Sequence, residues 1–189
     1  MSRYTVIADV GNTLISLLKE TMIPEPISEP ELIGLASPAD KGDLKLTLYL
    51  YKVTESGEFR NSDVVVDRAG IARYSPMALN LHYLLTTHSN SEISSRAMDE
   101  QRILGRAMQV FYDNSIIRAP KLKGSLEESD EEIRIVLENL PMDELSKIWS
   151  FSGIPYKPSI VYNVGPVYLD STKVKSTKRV LEFDTKIKD

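Results

Sequence analysis

The 189-residue sequence contains no cysteine, which excludes disulfide bonds, thiolate metal sites and cysteine nucleophiles together. No apolar run approaches the roughly 20 residues that a membrane-spanning helix requires, so we expect no membrane partner. Histidine is scarce, and His82 and His88 are too few and too poorly spaced for a tight metal site. We expect both on a half-exposed strand face. The sequence therefore predicts no metal, no cofactor and no catalytic residues, and the protein is not expected to be an enzyme.

Charge is distributed unevenly along the chain. The net charge is −4, but residues 171–189 hold six basic and three acidic residues, so this tail carries +3 and the remainder carries −7. An acidic body argues against nucleic acid as a partner, because nucleic-acid-binding domains present a basic face. The basic tail suits an acidic protein surface instead, such as that of a neighbouring copy.

The spacing of apolar residues predicts three helices and four strands. The helices are expected at Tyr4–Met22, Ile93–Phe111 and Leu140–Gly153. The strands are expected at Asp43–Val53, Met77–His88, Ile133–Asn139 and Pro158–Asp170, the last being a long strand or a broken hairpin kinked at Gly165-Pro166. This order predicts an α+β domain (residues 1–171) with a mostly antiparallel sheet, flanked by an N-terminal helix, a long central helix and a short helix.

Individual faces follow from the same patterns. In Asp43–Val53, leucines alternate with polar and aromatic residues, so Leu48 should lie in the core while Tyr49 and Tyr51 face away from it. In Met77–His88, Leu79, Leu81, Tyr83 and Leu85 should share one face, and Asn80, His82 and Leu84 the other. In the central helix the apolar stripe should hold Met98, Ile103, Leu104, Ala107, Met108 and Phe111.

The stretch Asp9-Val10-Gly11-Asn12-Thr13 resembles the first phosphate loop of the actin-like ATPases, especially pantothenate kinases of the third type. In those enzymes the Asp-x-Gly turn joins two strands, and a second glycine-bearing phosphate motif follows. Here the apolar spacing continues as a helix, and the nine glycines are scattered singly. The middle of a helix offers a phosphate neither a glycine-rich cradle nor a helix N-terminus. We predict no nucleotide site, and we expect removal of the Asp9 carboxylate to cost little stability.

The most informative pattern consists of four segments: LTLYLYKVTESGEFRN, SPMALNLHYLLTTHS, QRILGRAMQVFYDNSII and DELSKIWSFSGIPYKPSIVYNVGPVYLD. In this order and spacing they resemble the N-terminal domain of the tail-terminator, or cap, proteins of extracellular contractile injection systems. These systems are phage-tail-like particles of the virulence-cassette and antifeeding-prophage type. The resemblance runs from about Val6 to Asp170 and is most specific in LNLHYLLT and LSKIWSFSGIPYKPSIVYNVGPV. Many members of the family continue into a longer C-terminal part.

The resemblance implies a fold like that of phage tail terminators and a structural function. The implied assembly is a homohexameric ring that closes the distal end of the inner tube and anchors the last sheath layer. Tube and sheath proteins are then the further partners, and the subunit is cytoplasmic at assembly and afterwards part of the particle, inside the cell or after release. A neck or sheath-adaptor protein of the same particle is the main alternative, and a nucleotide-binding kinase is a more distant one.

The basic tail (residues 172–189) has a strand-like pattern at its end. Leu181, Phe183 and Ile187 share one side of that strand, while charged residues occupy the other. Such a strand would join either the sheet of its own subunit or that of a neighbouring ring subunit or sheath layer. The predicted assembly interface comprises Tyr49, Tyr51, Lys173, Lys175, Lys178, Arg179, Leu181, Phe183 and Ile187.

Overall fold

A computed structural model describes residues 4–57, 64–66, 72–150 and 154–173. Within these ranges the helices are α1 (Val6–Met22), α2 (Ile93–Asp113) and α3 (Met142–Ile148). The strands are β1 (Ile33–Leu35), β2 (Leu46–Glu55), β3 (Val64–Val66), β4 (Ala72–Tyr74), β5 (Met77–Thr87), β6 (Ile116–Ile117), β7 (Ile133–Glu138) and β8 (Ser159–Leu169). The three predicted helices and the four predicted strands are all present, with ends that differ by a few residues; Gly153, the predicted end of the third helix, lies outside the described residues.

Six strands form the main sheet in the order β1-β2-β5-β8-β7-β6, and β3 and β4 form a separate pair. Every neighbouring pair in the main sheet is antiparallel except β1 with β2. The predicted α+β fold with a mostly antiparallel sheet is therefore confirmed. The strands that the sequence did not predict are the short ones, β1, β3, β4 and β6.

Helices α1 and α2 cover one face of the sheet and build the main core with it. Leu46 and Leu48 of β2 are buried there, and Leu50 is partly buried. The face of β5 that holds Leu79, Leu81, Tyr83 and Leu85 is buried in the same core, and Leu48 and Leu81 are at most 1% exposed. The ring of Phe111 from α2 meets Tyr162 of β8 edge-on at a centroid distance of 4.9 Å. The first turns of α2 lie outside this core, since Ile93 and Met98 are 86% and 55% exposed. The assignment of Met98 to the apolar stripe was wrong for that reason.

The opposite face of the sheet, here called the outer face, packs against α3. Its apolar centre is small and consists of Leu84, Val161 and Trp149, the residue that follows α3. The indole Nε1 of Trp149 donates a hydrogen bond of 2.8 Å to Ser159 Oγ, so its polar group is satisfied where the ring is buried. Asp143 and Glu144 lie in the first turn of α3, where carboxylates interact favourably with the helix dipole.

Two irregularities change the alternation of the strands. The pairing of β2 with β5 skips Tyr51, so this residue is bulged. On β8, Gly165 and Pro166 together oppose the single residue Asn80 of β5. A Cβ atom at Gly165 would lie 2.8 Å from the carbonyl oxygen of Leu79, so glycine is required for this close approach. The segment is one long strand with an irregularity at Gly165-Pro166, not a broken hairpin.

Candidate assembly surface

Tyr49 and Tyr51, two of the predicted interface residues, lie on the outer face of β2. Both are half-buried, because they pack beside the cluster formed by Leu84, Val161 and Trp149. Burial, with the nearby charges of Glu138 and Glu144, raises the pKa of Tyr51 to about 12, so its phenol is neutral. The two rings therefore stabilise their own subunit and stay partly exposed on the outer face.

His82 is buried on the outer face, which corrects the expectation that it is half-exposed. Its Nδ1 lies 2.8 Å from Glu138 Oε2, and its Nε2 lies 3.0 Å from Thr54 Oγ1. The ring of Tyr51 contacts it edge-on. These partners come from β7 and β2, two strands that are distant from β5 in sequence. They leave the His82 side chain 8% exposed. Alternation within one strand does not reveal such coverage.

His88 follows β5 and is also buried, at 2% exposure. Its Nε2 lies 3.1 Å from Thr47 Oγ1, whereas its Nδ1 and the nearby Thr86 Oγ1 are buried without a hydrogen-bond partner in the described part of the chain. Burial lowers the pKa of His88 to about 4, and the charges of Lys157 and Lys41 act in the same direction. The imidazole is thus neutral near neutral pH and serves packing and hydrogen bonding.

The residues Asp9 to Thr13 form part of α1 and hold a distant segment of the chain. Asp9 Oδ2 accepts hydrogen bonds from Ser125 N at 3.2 Å and from Ser125 Oγ at 2.6 Å. Thr13 Oγ1 accepts one from Lys123 N at 3.0 Å. Gly124, at a φ of +65°, is required between them, because a Cβ atom there would collide with the Asp9 carboxylate. The side chains that resemble a phosphate loop are already used within the fold.

This arrangement corrects the expectation that loss of the Asp9 carboxylate costs little. Thr5 Oγ1 donates a further hydrogen bond of 2.8 Å to the same oxygen. Burial alone would raise the pKa of Asp9, but the hydrogen bonds from Ser125 and Thr5 outweigh it and keep the pKa below its ordinary value. A carboxylate stabilised in this way contributes to folding.

Of the tail residues in the predicted interface, only the first, Lys173, is among the described residues. Lys173 is exposed. The other six, Lys175, Lys178, Arg179, Leu181, Phe183 and Ile187, lie outside the described residues. The structure thus brings Tyr49 and Tyr51 together on one face, and the tail part of the predicted interface remains a prediction.

In the described ranges of the chain, no group of three or more histidine, cysteine, aspartate or glutamate side chains is placed to hold a metal ion. None of the helices described is long and apolar enough to cross a membrane.

Known proteins share both the sequence pattern and the fold. The family described as the Pvc16 N-terminal domain matches residues 9–182. Among solved structures, the fold is similar to a PVC sheath/tube terminator of an extracellular contractile injection system in the extended state, with a TM-score of 0.68 and 15% identity. It is also similar to the tube-terminating cap of the anti-feeding prophage, with a TM-score of 0.62 and 16% identity.

These matches cover 97% and 95% of this chain but only 63% and 61% of the two structures, so the chain spans less than two thirds of their length. No curated protein matches the sequence at a significant level.

Proposed function

The chain belongs to the family of the Pvc16 N-terminal domain, and on this premise we propose that it is a structural terminator that caps a contractile injection particle. The observation that carries the proposal is the similarity of nearly the whole chain to a protein described as a sheath/tube terminator. The similarity to a tube-terminating cap supports the same role. The recognition made from the four sequence segments is therefore confirmed at the level of the family.

The proposed assembly is a homohexameric ring at the end of the inner tube that also anchors the last sheath layer. A ring is built from head-to-tail contacts, so each subunit needs two different, complementary surfaces. The outer face of the sheet, with Tyr49 and Tyr51, is one proposed surface. The basic tail (residues 172–189), treated as an extension of the domain, is the other, because its +3 charge complements the −7 charge of the body.

The proposed role is structural and not catalytic. The polar side chains considered above as candidate site residues form hydrogen bonds within the subunit. They are those of Asp9, Thr13, His82 and His88. The proposal includes assembly in the cytoplasm followed by residence in the particle, with tube and sheath proteins as partners.

Mass and end-binding measurements test this function. Size-exclusion chromatography with light scattering should give about six times 21.3 kDa for a ring. Electron microscopy of tube or sheath polymers mixed with the protein should then show density at polymer ends only. Binding along the sides, or at a junction between other particle components, would favour a neck or sheath-adaptor protein instead. A monomer that ignores polymer ends would contradict the proposal.

Deletion of residues 172–189 tests the tail. The truncated chain should fold, but it should lose ring mass or attachment to sheath, and the loss should grow with salt because exposed charges are screened. A truncated chain that keeps its mass and sheath binding at every salt concentration would show that the tail is dispensable. Outright unfolding would place the tail in its own subunit's core.

A further inference from the structure

The main sheet has an edge that the described chain covers only in part. Strand β1 pairs with Leu46, Thr47 and Leu48 and then ends at Leu35. From Leu50 to Thr54, no strand in the described ranges pairs with the outer edge of β2. Such an edge presents backbone N–H and C=O groups that can template another strand.

An apolar groove adjoins this edge. It has a volume of about 450 Å³ and lies between the N-terminal half of α1 and the strands β1 and β2. Its lining includes Tyr4, Ile7, Gly11, Leu35, Leu50 and Tyr83. Tyr4 and Leu35 are 81% and 47% exposed, although both are large apolar or aromatic residues. Gly11 lets Leu35 pack directly against α1 in the lining of the groove, because a Cβ atom there would lie 2.9 Å from the Leu35 side chain.

An edge strand beside an apolar groove is the combination that binds an extended segment with alternating side chains. The backbone groups of the edge give affinity, and the groove takes every second side chain. The sequence holds one segment of this kind outside the described residues, Val180–Lys188. Leu181, Phe183 and Ile187 share one side with Thr185, and the positions that alternate with them, Glu182, Asp184, Lys186 and Lys188, are charged.

We propose that Val180–Lys188 of one copy pairs with the Leu50–Thr54 edge of β2 in the next copy and places its apolar side chains in the groove. This inference rests on the proposed ring and places the surface that receives the tail at the β2 edge and its groove, next to Tyr49 of the outer face. Each copy in a closed ring then covers one edge and has its own edge covered.

The place where β8 ends favours a second copy over the same subunit. Strand β8 ends at Leu169, which pairs with Met77. In the sheet, β5 and the full width of β2 separate β8 from the outer edge of β2. The connector to Val180 is basic, with Lys173, Lys175, Lys178 and Arg179, and the body of every copy is acidic.

Engineered cysteines test the proposal directly, because the natural chain has none. Val53→Cys marks the β2 edge, and Leu181→Cys, Phe183→Cys and Thr185→Cys mark the tail one at a time. A disulfide forms only when the two Cα atoms come within about 7 Å, which neighbouring strands satisfy. The β2 variant and each tail variant are co-expressed as separate chains and oxidised. Val136→Cys on β7, 55% exposed at the opposite side of the sheet, is the matched control.

The expected result is a covalent dimer for at least one tail position with Val53→Cys and none with Val136→Cys. A chain that carries both Val53→Cys and the reactive tail cysteine should give a ladder that ends at six copies. An internal link without dimers would overturn the proposal in favour of the subunit's own sheet, and no link at any tail position would overturn it as well. Light scattering before oxidation measures the mass of the assembly independently of the cross-links. A hexamer without links contradicts only this inference, whereas a monomer contradicts the ring itself.

Discussion

The two faces of the main sheet differ in chemistry. The face under α1 and α2 is lined by aliphatic side chains, and large residues such as Leu14, Leu48 and Leu81 are at most 1% exposed there. The outer face mixes a small apolar cluster with two buried histidines and with half-buried tyrosines. Burial of hydrocarbon stabilises a fold in proportion to area, so most of the stability belongs to the first face. The outer face and the Leu50–Thr54 edge of β2, which pairs with no strand in the described ranges, are the surfaces proposed for partners.

Truncation of adjacent residues on β2 should separate the two faces most strongly. Leu48→Ala should lower the free energy of unfolding by about 2–5 kcal/mol, because a fully buried leucine leaves a cavity. Tyr49→Ala, the matched variant on the outer face, should cost less, since that ring is only half-buried. Urea unfolding of both variants gives the comparison. A larger cost for Tyr49→Ala would show that the outer face is the more important one for the isolated subunit.

The success of sequence reasoning differs between the same two faces. Leu48, Leu81 and Ile103 were placed correctly, because their burial follows from a period of two or 3.6 within a single element. The burial of His82 was missed, since it depends on Glu138 and Thr54 from other strands. Strands β1 and β6 were missed because two or three residues carry no periodicity, and their pairing depends on a neighbouring strand.

The candidate surface was predictable to a similar degree. Tyr49 and Tyr51 were assigned to the correct face by alternation. The groove beside α1 was missed, because it is formed by Leu35 and Gly11 lying against each other across two elements. The sequence pattern did not indicate that Tyr4 is exposed. An aromatic residue at the start of an amphipathic helix is usually predicted to lie in the core.

The outer face should respond to acid through His88, which has no counterpart on the aliphatic face. Its pKa of about 4 lies below the ordinary value of 6.5, so the folded state favours the neutral ring. The resulting stability is complete above pH 6.5 and is lost as the pH falls from 6.5 through 4. The loss is up to about 3 kcal/mol, at about 1.4 kcal/mol for each pKa unit.

Urea unfolding of the natural chain and of His88→Gln between pH 7.5 and pH 4 measures this contribution. Glutamine keeps a polar group near Thr47 Oγ1 but does not titrate. The natural chain should lose more stability than the variant over this range. Equal pH dependence of the two chains would mean that His88 does not couple protonation to folding.

Substitution of Asp9 tests whether hydrogen bonds at the edge of the aliphatic core also stabilise the fold. Asp9→Ala removes the acceptor for Ser125 N, Ser125 Oγ and Thr5 Oγ1 and should cost about 1–2 kcal/mol. Asn12→Ala, an exposed position on the same helix, is the matched control and should be nearly neutral. Because the Asp9 pKa is lowered, its contribution is present at neutral pH and is lost in strong acid. Equal thermal stability of the two variants at pH 7 would contradict this role.

The smallest expected effect is that of ATP on the melting temperature. It distinguishes α1 as a structural helix from α1 as a phosphate loop. If Asp9 to Thr13 formed a phosphate loop, ATP with magnesium at 100 times its dissociation constant would stabilise the fold by about 2.7 kcal/mol. We expect no shift in the melting temperature at millimolar ATP, because the Asp9 carboxylate and the Thr13 hydroxyl are already bonded to Ser125 and Lys123. Gly11 is also buried within the helix, where it supplies no free backbone N–H. An ATP-dependent shift that Asp9→Ala abolishes and Asn12→Ala preserves would assign α1 to ligand binding, and the helix would then belong to a functional site as well as to the core.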